Sequence, residues 1–323
     1  MNVGLLLVLV ASALMILSSQ NMLSVIVLSG IYSVSICTLF VVLDAVDVAF
    51  TEAAVGAGIS TVLMILAIRG SDHRDNSWSW PSLGSIAMGL SMGVLLILGT
   101  LDMPFYGQPD APVHLHLAPR FLGESGNEIG IPNVVTSVLA SYRGYDTLGE
   151  VVVIFTAGIA VVLLLTAPGE AGGGEEKAPL SESPILNSAL FRIVPWVLLF
   201  GLYVQFHGDY GPGGGFQAGV IFGAGFITVG LLAGRKKMLL LLEKRWIAWG
   251  AAAGVLVYAG VGVAAILLGG TFLNYSVLAG EQTTGQHIGI LVIELGVGIT
   301  VAFTMISLFV SFTGRLNGPK RKL

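Results

Sequence analysis

The residues that could do chemistry in this chain are carboxylates set in apolar surroundings. Asp47 and Glu52 lie in DAVDVAFTEAAVGAGIS, Glu150 follows SYRGYDTLG, and Glu294 lies in GQHIGILVIELGVGIT behind His287. A carboxylate taken out of water is costly as an anion, so its pKa moves toward a range where it can trade a proton for a cation. That is relay chemistry for protons or small cations. Asp44 and Asp47 stand at the watered end of their segment, and Glu52 lies deeper, about 9 Å in from the segment's start at 1.5 Å per residue. His287 and Glu294 fall two turns apart on one helical face, so they can be two stations of one path. Each acid also has a structural reading, as a group bonded to a neighbouring helix, and His287 could simply face headgroups. Glu150 reads either as an end-of-helix anchor or as part of a path. Arg143 and Asp146 before it suggest a local ion pair.

A second feature is the turn HGDYGPGGGFQAG, residues 207–219. Gly213, Gly214 and Gly215 allow backbone geometry closed to other residues. The turn lacks the G-K-[ST] of a phosphate loop. Packing against a partner, with His207 and Asp209 at a candidate ion entrance, is one reading; a plain tight turn is the other. Arg192 could snorkel to an interface or pair with a partner carboxylate. His114 and His116 are too few for a metal site, and the single cysteine, Cys37, forms no internal disulfide. No metal site, cofactor site, catalytic triad or nucleotide motif is visible, so no catalysis is expected of this chain alone.

The elements that must hold these residues follow from composition. Of 323 residues, 54% are hydrophobic and 11% charged, against roughly 25% charged in soluble domains. The mean hydropathy is +0.87. This is an integral membrane protein, and with a net charge of −4 it has no nucleic-acid surface. Taking about 20 apolar residues per crossing, nine spans are expected, near 3–19, 22–42, 46–68, 83–101, 148–166, 185–206, 213–233, 245–268 and 287–313. The fold class is all-α and polytopic, since no ten-residue alternation of a β-barrel is visible. With nine spans, twelve of the fifteen Lys and Arg residues fall on one face, two (Arg120 and Arg143) on the other, and Arg192 inside a span. The positive-inside rule then puts the N-terminus outside and the C-terminus in the cytoplasm. The first segment has no basic flank or cleavage site, so it reads as a retained span rather than a signal peptide. Residues 131–145 are amphipathic and too short to span. Residues 168–184, PGEAGGGEEKAPLSESP, read as a flexible cytoplasmic linker between a five-span part (1–167) and a four-span part (185–323).

Three stretches resemble a known family. DVAFTEAAVGAGIS (47–60) and PNVVTSVLASYRGYDTLGEVVVIFTA (132–157) are similar to the C-terminal membrane region of the A subunit of Mrp-type sodium/proton antiporters, and to small subunits of membrane-bound hydrogenases. FGLYVQFHGDYGPGGGFQAGVIFGAGFI and GQHIGILVIELGVGITV resemble the B subunit of the same antiporters. The resemblance implies a B-type subunit carrying the tail of the A-type one in front of it. It implies a hetero-oligomer of prokaryotic inner-membrane subunits that exchanges Na+ for H+, with Glu52, Asp47 and Glu150 as the acids of the matching motifs. His287 and Glu294 are not part of that pattern, so their role rests on their placement alone. The alternative implied is an ion-translocating subunit of an energy-converting hydrogenase or complex I-like assembly.

Overall fold

The computed structural model describes residues 2–69, 82–165 and 184–316. A backbone without water must satisfy its own N–H and C=O groups, which a helix does within one segment; every regular element among the described residues is helical. α1 (Asn2–Ser18) packs on α2 (Met22–Val42). Asn21 starts α2 because its Oδ1 accepts the otherwise unpaired N–H groups of Leu23 and Ser24, at 2.9 and 3.3 Å. Asp44, in the left-handed region at φ 59°, turns the chain into α3 (Val46–Glu52).

α3 does not continue as a plain α-helix. Residues Ala53–Ile59 form a π-helical segment before α4 (Ser60–Arg69) resumes. The extra residue per turn displaces carbonyls from their usual partners. Thr61 Oγ1 compensates by donating to Gly56 O and Ala57 O at 3.4 and 3.2 Å.

α5 (Leu83–Thr100) stands apart, with none of its residues buried. After it come a π turn (Val113–Leu117), α6 (Ala118–Glu128), α7 (Val134–Thr136), a third π segment (Ser137–Tyr142) and α8 (Gly144–Leu165). Residues 131–145, read as amphipathic and too short to span, hold α7 and the third π segment. Arg143 Nε and Asp146 Oδ2 form the expected ion pair at 2.5 Å. Glu128 gathers Arg120 Nη2 at 2.6 Å and the Tyr142 hydroxyl, tying α6 to the third π segment. Burial first, then the Glu128 carboxylate, pushes the Tyr142 phenol up to about 12, so it stays a donor.

The remaining elements are α9 (Pro184–His207), α10 (Gly215–Ala233), α11 (Arg235–Leu241), α12 (Lys244–Leu267), a 3₁₀ turn (Tyr275–Leu278) and α13 (Gln282–Leu316). α13 is the central element, packing on α12, α10 and α8. Its buried side includes Ile290, Ile293, Val301 and Phe309. Two fully buried tyrosines reach across the chain from this half. Tyr258 Oη donates to Gly144 O at 2.8 Å and Tyr275 Oη to Ala140 O at 3.1 Å, fixing the start of α8.

Seven helices among the described residues are long and apolar enough to cross a membrane. Two of the nine expected spans are not among these seven: Asn2–Ser18 has 17 residues, and α9, 24 residues long, contains the apolar stretch Phe191–His207. The expected linker, but for Pro184, lies outside the described residues, as do Arg74, Lys177, Lys320, Arg321 and Lys322.

Close approach of α10 to α13 requires glycine. A Cβ on Gly219 would stand 2.6 Å from Gly298 O and 2.8 Å from Val301 Cβ. Gly219→Val is therefore expected to destabilise the protein by about 1–3 kcal/mol through overpacking, read as a lower melting temperature in detergent. Gly260→Ala, where nothing lies within 4 Å, is the control and should melt with the parent.

Candidate functional site

The turn between α9 and α10 is the centre of the site. Gly214 sits at φ +105°, a conformation that glycine adopts freely, and its N–H donates to Val204 O at 3.0 Å. The turn folds on itself so tightly that a Cβ on Gly208 would lie 2.7 Å from Gly214 Cα. α10 then begins at Gly215 with no side-chain cap. Its first N–H groups and its dipole leave partial positive charge there.

Carboxylates from three elements converge on this end. Glu294 of α13 lies over the two glycines: a Cβ on Gly214 would be 2.9 Å from its Oε1, and one on Gly208 would be 3.2 Å from its Oε2. Asp47 of α3 accepts the Gly213 N–H at 3.2 Å. Asp209 belongs to the turn itself, is buried, and faces His287 Nδ1 at 3.3 Å. Asp209 and Asp47 both act electrostatically on Glu294.

The turn is held by residues that sequence reasoning missed. Asn133, the N-cap of α7, donates from Nδ2 to Gly208 O and Gly211 O, each at 3.0 Å, while its backbone N–H donates to Asp209 O at 3.0 Å. Thr136 Oγ1 donates to Gly208 O at 2.7 Å. Gln217 Nε2 donates to Thr51 Oγ1 at 3.1 Å, tying α10 to α3. The signal for Asn133 was its place after Pro132, a helix-start pattern; for Gln217 it was an amide inside an apolar run. Both signals are weak beside a carboxylate.

Beside the turn is a cavity of about 230 Å³, lined among others by Asp47, Thr51, Thr136, Glu150, Gln217 and Glu294. Glu150 is exposed at its rim. Of the residues singled out by sequence, Asp47, Glu150 and Glu294 meet at this cavity, and Asp209 and His287 adjoin it. His207 stacks on Tyr203 at 5.0 Å between ring centroids, with its ring over Gly211, on the other side of the turn. Glu52 is placed elsewhere. Its carboxylate lies over Gly56, opposite Ser33 of α2, with the π segment starting just after it. Among the described residues no group of three or more His, Cys, Asp or Glu side chains is arranged to hold a metal ion.

What such an arrangement can do is hold and pass a small charge. Three acids at one helix end cannot all be anionic without a compensating proton or cation.

Residues 185–307 match the model of a domain related to the MnhB subunit of a Na+/H+ antiporter; residues 7–73 and 88–169 match the D and E subunits of membrane-bound hydrogenase (MBH). The solved Mrp complex from Dietzia sp. DQ12-45-1b contains a chain 26% identical to this one, at a TM-score of 0.74 over 95% of this chain. The chain thus resembles three membrane-subunit domains placed in series. It also resembles a chain of the membrane-bound sulfane sulfur reductase, an archaeal respiratory membrane complex, at 25% identity and a TM-score of 0.55, over 73% of this chain and 97% of that one. A probable K+/H+ antiporter A/B subunit of Rhizobium meliloti is 27% identical over 74% of this chain, and an uncharacterized Methanocaldococcus jannaschii protein is 29% identical over 46%. This chain matches only 26% of the Rhizobium protein, 63% of the Methanocaldococcus protein and 34% of the Dietzia chain. These likenesses and the apolar helices make it a multi-pass membrane protein.

Two predictions follow from the geometry of the turn. Asn133→Ala takes its side-chain donor from Gly211 O and leaves Gly208 O to Thr136 Oγ1; it should cost about 1–3 kcal/mol, seen as a lower melting temperature. Burial raises the Asp209 carboxyl above its ordinary value, with His287 pulling the other way. The folded state then holds this proton more tightly than the unfolded chain, so stability falls as pH rises from the ordinary carboxylate range through the folded-state value. Asp209→Asn removes that fall. Between about pH 4 and 8 its melting temperature should drop less with rising pH than the parent's; parallel curves would refute the assignment.

Proposed function

We propose that this chain is a membrane subunit of a multisubunit cation/proton antiporter, and that Asp47, Glu150 and Glu294 line part of its ion path. The observation that carries the reading is the meeting of these three acids, from the two halves of the chain, at one cavity beside the uncapped end of α10. Protonation competes with cation binding at such acids, which is the coupling an exchanger needs. His287 and Asp209 form the outer station, and His207 flanks the entrance. Glu52 contributes a separate acid toward α2. The same reading takes nine crossings, with α1 and α9 as spans, an external N-terminus and a cytoplasmic C-terminus. It takes 1–167 and 185–323 as two functional parts joined by 168–184. The partners are other membrane subunits of the same complex, and the exchanged ions are H+ with Na+ or, as the Rhizobium relative's name suggests, K+.

A second reading has specific support. The matches to the D and E subunits of hydrogenase, and the likeness to the sulfane sulfur reductase chain, suit an ion-translocating arm driven by redox chemistry. Tagged purification in mild detergent separates the two. Antiporter-type membrane subunits alone support exchange; co-purified iron–sulfur subunits support the redox-driven arm.

The test of the path is exchange in everted membrane vesicles, following collapse of a pH gradient on adding Na+ or K+. Glu294→Gln and Asp47→Asn are each expected to lower exchange by about tenfold or more while the complex assembles in normal amount. Parent-level exchange in both variants would leave the chain a scaffold and end the proposal.

A further inference from the structure

α10 stops at Ala233 because Gly234, at φ +86°, turns the chain, its N–H donating to Gly230 O at 3.0 Å. α11 then runs between the ends of α10 and α12. Met238, fully buried, anchors it beside Gly230 and Phe309. Residues 235–245 carry Arg235, Lys236, Lys237, Lys244 and Arg245 against a single acid, Glu243. Around them Leu240, Leu241 and Trp249 are exposed, Leu240 by 83%.

The cations are not equivalent. Arg245 is already matched: its Nε lies 2.6 Å from Glu243 Oε2 and its guanidinium over the Trp246 ring. Lys236 and Lys237 are exposed. Arg235 lies against the end of α13, its guanidinium 3.0–3.1 Å from where a Cβ on Gly314 would stand, and its Nε is buried without a hydrogen-bond partner among the described residues. A buried guanidinium N–H left without an acceptor is costly. Acceptors that suit a planar guanidinium are carboxylate and phosphate oxygens.

We propose that Arg235, with Lys236 and Lys237, binds the phosphate of an anionic phospholipid, whose acyl chains cover Leu240, Leu241 and Trp249. Basic residues next to spanning helices attract anionic headgroups, and tryptophan favours the same depth. Exposed apolar side chains close in sequence to the cations distinguish a lipid from a free anion. The proposal stands apart from the ion path and does not depend on which ion is exchanged.

The test uses the intact complex, delipidated in detergent. Adding phosphatidylglycerol is expected to raise its melting temperature with concentration, as binding to the folded state must, and to give bound-lipid peaks in native mass spectrometry; phosphatidylcholine should do neither. Arg235→Gln should weaken the phosphatidylglycerol response by about tenfold. Arg245→Gln should leave it within about threefold, its cation being exposed and otherwise paired. Arg235→Lys, which keeps a charge but not the fork, should fall between parent and Arg235→Gln, and serves alone if the latter does not assemble. An equal response to phosphatidylcholine, an Arg235 variant that responds like the parent, or full protection by inorganic phosphate would each overturn the proposal. So would Lys237 resisting amine-reactive labelling in the delipidated complex, since a partner subunit would then cover the patch.

Discussion

Everything at the candidate site depends on one contact, the carboxylate of Glu294 against the glycines at the start of α10. A side chain at Gly208 or Gly214 would displace that carboxylate, and one at Gly215 or Gly219 would push α10 off the backbone of α13. With the glycines in place, the end of α10 meets α13 at the depth of Glu294. An acid there gains from the helix dipole and the unpaired first-turn N–H groups. Asp47 uses the same end, through the Gly213 N–H. The turn therefore does two things: it lets the helices close, and it supplies positive potential that lets acids gather.

That gathering joins parts of the chain far apart in sequence. Asp47 comes from α3, Glu150 from α8 and Glu294 from α13. Beside the apolar packing of α13 on α8, polar joints tie the halves: Gln217 to Thr51, Asn133 to the turn, Thr136 to Gly208. Apolar packing alone would be weak glue in a bilayer, where lipid tails compete equally well, whereas directed hydrogen bonds fix register. The two halves are held in register where the acids meet, and α5 can stand free without disturbing the site.

Much of this was legible in the residues, for physical reasons. Apolar length marks helices, because a backbone in lipid has few alternatives. A buried acid is conspicuous because it is expensive, so Asp47, Glu150 and Glu294 could be singled out before their meeting was known. Arg143 and Asp146 were readable because their pairing is local. Glu52 shows the limit. Its placement depends on the π segment that begins at Ala53, and AAVGAGI carries no mark of an i to i−5 pattern. Spacing alone treats 46–68 as an even helix and so cannot tell which face Glu52 takes. Asn133 and Gln217 were hidden for another reason: an amide costs less to bury than a charge, so its presence in an apolar run points less strongly to a purpose.

Glu150 carries the argument one step further. It lines the rim of the cavity yet is exposed on this chain, near the start of a 22-residue apolar helix. Hydrocarbon is a poor neighbour for an acid even part-way into a bilayer. Its neighbours on α8 include Val152 and Val153, which are also exposed. A surface that is mostly apolar but holds one acid at the rim of a cavity that two further acids line suits another protein better than lipid. Lipid can cover the valines but cannot solvate the carboxylate, whereas a partner helix can do both. In the proposed complex, the exposed Glu150 is then the point on this cavity where a neighbouring subunit would meet it.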